Sequence, residues 1–257
     1  MPLPEELEQT GLKAVDYFLE TWNSRDPVRW ADSLNFPHVR PAASGPVRVA
    51  ETADSYIAAV DFQRTIETGW DHSEWDYRTI LQTSTDKIHA AGQWSRYDDK
   101  GEVILTTPIV YIITLVADHW GIQSRFGADY AGETEDTTEL TSRGLNLVQD
   151  FVNQSNAGNH QACAELLNYP HFDVGIGNLS VTDSSDEFAL YDGDLNIESL
   201  QAVQTGRHSI NLALELNESN TDRSLSGVVH VNDRDNHLGI QAWSFMETSA
   251  PDDSRNR

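Results

Sequence analysis

Between residues 5 and 22 the apolar positions Leu7, Leu12, Val15, Phe18, Leu19 and Trp22 fall three and four apart. That spacing puts them on one face of a helix. Asp26 followed by Pro27 supplies an N-cap and a first-turn proline, so a short second helix carrying Trp30 and Leu34 is predicted to stop before Pro37. Residues 38–40 and 47–50 flank the run Pro41, Ala42, Ala43, Ser44, Gly45 and Pro46, whose glycine and prolines predict a hairpin turn. A third helix is predicted from Thr52, with Tyr56, Ile57, Val60, Phe62 and Ile66 as its apolar positions. Strand-like stretches follow at 75–83, 87–97, 103–116 and 120–126, and Asp98, Asp99, Lys100 and Gly101 form a turn between two of them. In 103–116 both alternating sets are apolar: Ile109, Tyr111, Ile113 and Leu115, and Val110, Ile112 and Val116. Such a strand is expected to be buried on two sides.

The pattern then repeats. Asn35, Phe36, Pro37 and His38 return as Asn168, Tyr169, Pro170 and His171, an offset of 133 residues (171 − 38). Gly11, Leu12, Val15, Phe18, Asn23, Ala31 and Leu34 recur at the same offset. Helices near 141–156 and 159–168, a hairpin over 171–181 and closing strands within 207–246 are therefore expected to copy the first half. His119 to Gln123 echoes His237 to Gln241 at an offset of 118 (237 − 119), so the second copy is shorter, mainly around the third helix. The domains are read as 1–128 and 140–249, with an acidic linker at 129–139 and a tail at 250–257. Helices beside a meander of long strands predict an α+β fold in each.

The net charge of −24, from 41 acidic and 17 basic residues, repels phosphate backbones, so no nucleic-acid partner is expected. Cys163 is the only cysteine, which excludes an internal disulfide, and it is placed on a buried helix face. Residues 1–10 lack a basic and then apolar leader, and no stretch nears the roughly 18 apolar residues of a membrane span. A cytoplasmic protein with no membrane partner is the expectation.

The element order, Asn35 to Arg40, the hairpin Arg96 to Gly101 and the closing strand Trp120 to Arg125 resemble the NTF2-like superfamily, SnoaL-like branch, in two tandem copies. The resemblance implies two cones, each a curved, mainly antiparallel sheet over three helices, packed as an intrachain pseudo-dimer in a monomeric chain. It implies no one activity. His38 and Arg40 point to one side of a strand near the implied pocket mouth, where they could clamp an anionic or carbonyl ligand. Equally, His38 could hydrogen-bond backbone at that corner, as its return as His171 suggests. Tyr56, Trp94, Arg96, Tyr111, Gln123 and Arg125 complete the expected ligand-binding set. Ketosteroid isomerases of the superfamily carry an Asp base on this hairpin; Arg40 cannot serve as one, and the second copy has Asp173 there. Along 87–97 one face carries Ile88, Ala90, Gly92, Trp94 and Arg96, against Ile210, Leu212, Leu214 and Leu216 in copy two. An open pocket in the first cone and a filled second cone are therefore expected. No metal or cofactor is implied. The expected function is binding of a small organic ligand in the N-terminal cone; the alternative is a cofactor-free lyase, isomerase or hydrolase with His38 as acid or base.

An acid-rich chain with only three lysines suits solubility in salt. Its thermal midpoint is expected to rise steadily with added NaCl; a midpoint indifferent to salt would refute this.

Overall fold

The computed structural model describes residues 3–41, 46–132, 134–190, 193–219, 221 and 223–248. The tail expected at 250–257 and the core of the hairpin turn, 42–45, lie outside them. Helix α1 (Pro4–Asn23) buries Leu7, Val15, Phe18, Leu19 and Trp22, as its periodicity requires. Asp26 caps α2 (Pro27–Asp32) by accepting from the Val28 and Arg29 amides. The expected third helix is two: α3 (Ala53–Ala59) and α4 (Phe62–Ile66). Val60 is extended at that break, and the Asp61 carboxylate restarts the helix by accepting from the Arg64 amide.

Strands β1 (Leu34–Arg40), β2 (Arg48–Ala50), β3 (His72–Thr83), β4 (Lys87–Tyr97), β5 (Val103–Val116) and β6 (His119–Gly127) form one sheet in the order β2-β1-β6-β5-β4-β3. Only β1 and β6 run parallel. The second half repeats this plan with α5 (Thr138–Asn156), α6 (His160–Glu165), β7 (Leu167–Val174), β8 (Leu179–Thr182), β9 (Leu195–Thr205), β10 (Ser209–Glu218), β11 (Ser224–Arg234) and β12 (His237–Thr248), in the order β8-β7-β12-β11-β10-β9. A single 3-10 turn, Ser185–Glu187, stands where α3 and α4 stand in the first half. The chain is thus an α+β protein of two tandem domains with one topology.

The doubled tetrapeptide makes the same bonds twice. Asn35 Nδ2 donates to the Thr114 carbonyl (2.7 Å) and Asn168 Nδ2 to that of Asn232 (2.8 Å). His38 and His171 each direct Nδ1 at a β-strand carbonyl, Ile122 (3.0 Å) and Ile240 (3.1 Å). Gln123 and Gln241 each donate to the carbonyl of the tetrapeptide's proline, after peptide bonds that are cis in both halves.

The two sheets pack through their outer faces. Val39, Ala91, Val110, Ile112 and Phe126 meet Phe172, Val174, Ala213, Val228 and Ala242 in one core. The inner faces of β5 and its neighbours build a separate core in each domain, so β5 is buried on both sides as its double apolar pattern demands. Several polar groups at the interface are partnered across it: Gln204 Nε2 donates to the Gly92 carbonyl (2.8 Å), Asn211 Nδ2 to that of Phe126 (2.8 Å), and Lys87 Nζ to those of Val174 (2.9 Å) and Phe245 (2.7 Å).

Two interface histidines, His89 and His230, are fully buried, and burial lowers both pKa values, that of His230 from 6.5 to about 4. Between those pH values the unfolded chain binds a proton that the folded chain refuses, so stability present above pH 6.5 drains away toward pH 4. Urea midpoints are expected to fall over that range, and less steeply in His230→Gln.

Candidate functional site

The inner face of the first sheet gathers three arginines. Arg125 is buried, with 6% of its surface exposed, and its Nε donates to His38 Nε2 (3.3 Å) while Nη2 donates to the Tyr56 hydroxyl (3.1 Å). Its guanidinium lies over Phe18 (5.0 Å) and Trp30 (5.3 Å). Arg40 stands two residues beyond His38 on β1, and burial followed by the charges of Arg125, Arg48 and Arg96 lowers its pKa to about 10. Arg96 lies over Trp22 (5.1 Å) and Trp94 (5.5 Å), and burial alone lowers it to about 10. Among the described residues none of the three has an ion-paired carboxylate. Buried beside them without a hydrogen-bond partner are Arg96 Nε and Trp30 Nε1, while the Trp94 indole N–H is directed at the Tyr111 hydroxyl, whose pKa burial pushes up.

Of the residues singled out from sequence, His38, Arg40, Tyr56, Trp94, Arg96, Tyr111 and Arg125 therefore sit on the first cone's inner side. Gln123 does not join them. Its Oε1 accepts from the Thr114 hydroxyl (3.0 Å) and, across the domain interface, from the Gly177 amide (3.1 Å). His38 is held neutral: burial, then the Arg125 charge, keeps its pKa well below 6.5, and Arg125 occupies the ring nitrogen that could act as base. His171 and Asp173 lie on β7; burial lowers the first to about 4 and raises the second.

The second cone, expected to be filled, is hollow. A cavity of about 450 Å³ lies in the second cone, walled by residues such as Val148, Phe151, Leu214, Leu225 and Trp243. The face assignment is correct, with Ala90 and Trp94 in the first inner core and Leu212, Leu214 and Leu216 in the second. Yet the space left by Gly92 is taken by the Trp75 ring, to which a Cβ at Gly92 would come within 2.7 Å. Trp22, Trp30, Phe62 and Trp70 crowd the space beside it, the other three ring centroids lying 4.6–5.0 Å from that of Trp22. At the 133-residue offset Trp22 and Trp30 become Ser155 and Cys163, and the strand partners Trp75 and Trp94 become Ile197 and Leu216. Losing four indoles together with α3 and α4 outweighs two added leucines. Those exchanges were the legible signal that strand comparison alone missed.

Residues 12–127 match the family described as NTF2-like protein (DUF6841). The first half is an NTF2-like domain. No curated protein matches the chain. Similar solved structures include an NTF-2 like protein of unknown function from Shewanella oneidensis MR-1, at 17% identity and TM-score 0.38, over 46% of this chain and 95% of that one. The protein Aln2 from a Streptomyces species aligns at 16% identity and TM-score 0.39, over 56% of this chain and 99% of that one. A cystatin-like fold protein from Burkholderia xenovorans LB400 aligns at 10% identity and TM-score 0.37, over 44% and 95% respectively.

If the NTF2-like domain is packed as described, Gly92→Ala drives a methyl into Trp75 and toward the Tyr77 carbonyl at 3.2 Å. It should cost about 1–3 kcal/mol by denaturant unfolding; a neutral effect would show that the Trp75 ring has room to move.

Proposed function

We propose that the protein is a ligand-binding member of the SnoaL-like kind, whose N-terminal domain, residues 1–128, holds a small organic carboxylate between Arg40, Arg96 and Arg125. The observation that carries this reading is three guanidiniums on one inner face with no ion-paired carboxylate among the described residues, in a chain of net charge −24. Although the chain has 41 acidic residues, the described ones leave the three arginines without an ion-paired carboxylate. An unpaired buried charge costs several kcal/mol, and a bound anion offsets that cost. Guanidinium forks fit a carboxylate with two parallel hydrogen bonds. The Tyr111 hydroxyl, which takes the Trp94 indole N–H, keeps its own proton as a neutral donor that suits the rest of a polar ligand.

Binding fits the geometry better than proton-transfer catalysis. His38 keeps no free basic nitrogen, and a tyrosine whose pKa is raised by burial is a poor base near neutrality. Arg125 is instead fixed by His38 and Tyr56, which is what a preformed anion clamp requires.

Titration calorimetry with benzoate and acetate should show binding that weakens with NaCl, while benzamide and acetamide give none. Arg40→Ala should weaken benzoate at least tenfold, about 1.4 kcal/mol. Equal binding of acid and amide, or no binding of either acid, would refute the reading.

A further inference from the structure

The second cone inverts the chemistry of the first at equivalent places. Arg40 becomes Asp173 at the 133-residue offset, and Arg125 becomes Trp243 at the 118-residue offset that relates the closing strands. Asp173 and Trp243 are direct partners in the parallel ladder of β7 and β12, and both line the 450 Å³ cavity. Tyr111 becomes Val229, which also lines it. The wall is otherwise mostly apolar, from Val148, Phe151, Leu214 and Leu225.

We propose that this cavity is a second binding site, specific for an apolar amine whose ammonium group pairs with the Asp173 carboxylate against the Trp243 indole. The volume lies in the range of pockets that hold small organic ligands. Asp173 is exposed and lines the cavity, so its carboxylate is presented to whatever fills that space. Desolvation by the surrounding protein raises its pKa despite a side-chain hydrogen bond from Trp243 and the nearby Lys87, and among the described residues it has no ion-paired cation. Lys87 does not neutralise it by contact: its three donors go to the Val174 and Phe245 carbonyls and the Ser244 hydroxyl, at 2.7–3.1 Å. Arg223 is engaged at the rim by Glu247 (2.5 Å). A ligand ammonium supplies the missing charge, and an indole face adds cation–π attraction. The negative field of the whole chain draws cations toward the site.

The test is calorimetry on the full chain with 2-phenylethylamine and its neutral isostere 2-phenylethanol. The amine should bind at least tenfold more tightly. Asp173→Asn should remove that difference while leaving the alcohol's affinity unchanged, and Asp173→Ser should do the same. Arg40→Ala, which disables only the N-terminal clamp, should leave amine binding untouched, so the two sites succeed or fail separately. Equal affinities for amine and alcohol in the unaltered protein, no binding of either, or an amine preference that survives both Asp173 variants would each overturn the proposal.

Discussion

A sheet that is apolar on both faces needs a cover on each, and one layer of helices supplies only one. In this chain the inner face of each sheet is covered by its own helices and the outer face by the other sheet. Val110, Ile112, Val228 and Ala242 are without exposure as a result. Burying that much apolar surface is the main source of stability. It also leaves some strand carbonyls facing protein rather than water, and Gln204, Asn211 and Lys87 reach across to satisfy them. The back-to-back contact therefore fixes both outer faces tightly. The inner faces carry no such mutual constraint.

The two cones have used that freedom differently, and volume and charge have changed together. In the first, the indoles that fill the space also hold the cations: Trp22 and Trp94 under Arg96, Trp30 with Phe18 under Arg125. A guanidinium on an aromatic face is partly compensated for lost water. Remove those rings and the arginines would stand desolvated against an empty wall. The second cone lacks both, having Ser155 and Cys163 for two of the tryptophans and Asp173 and Trp243 for two of the arginines. Hollowness and reversed charge are thus one change seen from two sides.

Much of the fold was legible in the sequence because it rests on local periodicity. The apolar spacing in α1, the Asp26 cap, the Asp98 turn and the two-sided β5 all follow from short-range rules. β9 was not anticipated. Its pairing with β10 shifts register twice, between Asn211 and Leu212 and between Glu215 and Leu216, as that of β3 with β4 does. The site was half legible. That His38 and Arg40 share a face follows from their spacing, whereas the Arg125 contact to His38 spans 87 positions and has no local signature. The void was misplaced for a related reason. Cavity volume is a sum over every wall, and one strand face cannot report what helices and neighbouring strands bring to it.

The doubled Asn-aromatic-Pro-His shows how identity and function part company within one chain. Its asparagine, histidine and proline make equivalent hydrogen bonds in both halves, the asparagine anchoring β1 to β5 and β7 to β11, the histidine and proline anchoring β1 to β6 and β7 to β12. Those anchors fix where the next residues of β1 and β7 emerge into each cone. Position 40 and its counterpart 173 are two residues beyond the histidine, so an identical scaffold delivers a guanidinium to one interior and a carboxylate to the other. Because the anchor is common, the change of charge is not accompanied by a change of place. Each cone inherits the same geometry of presentation, and what it can bind is decided by the few side chains that differ.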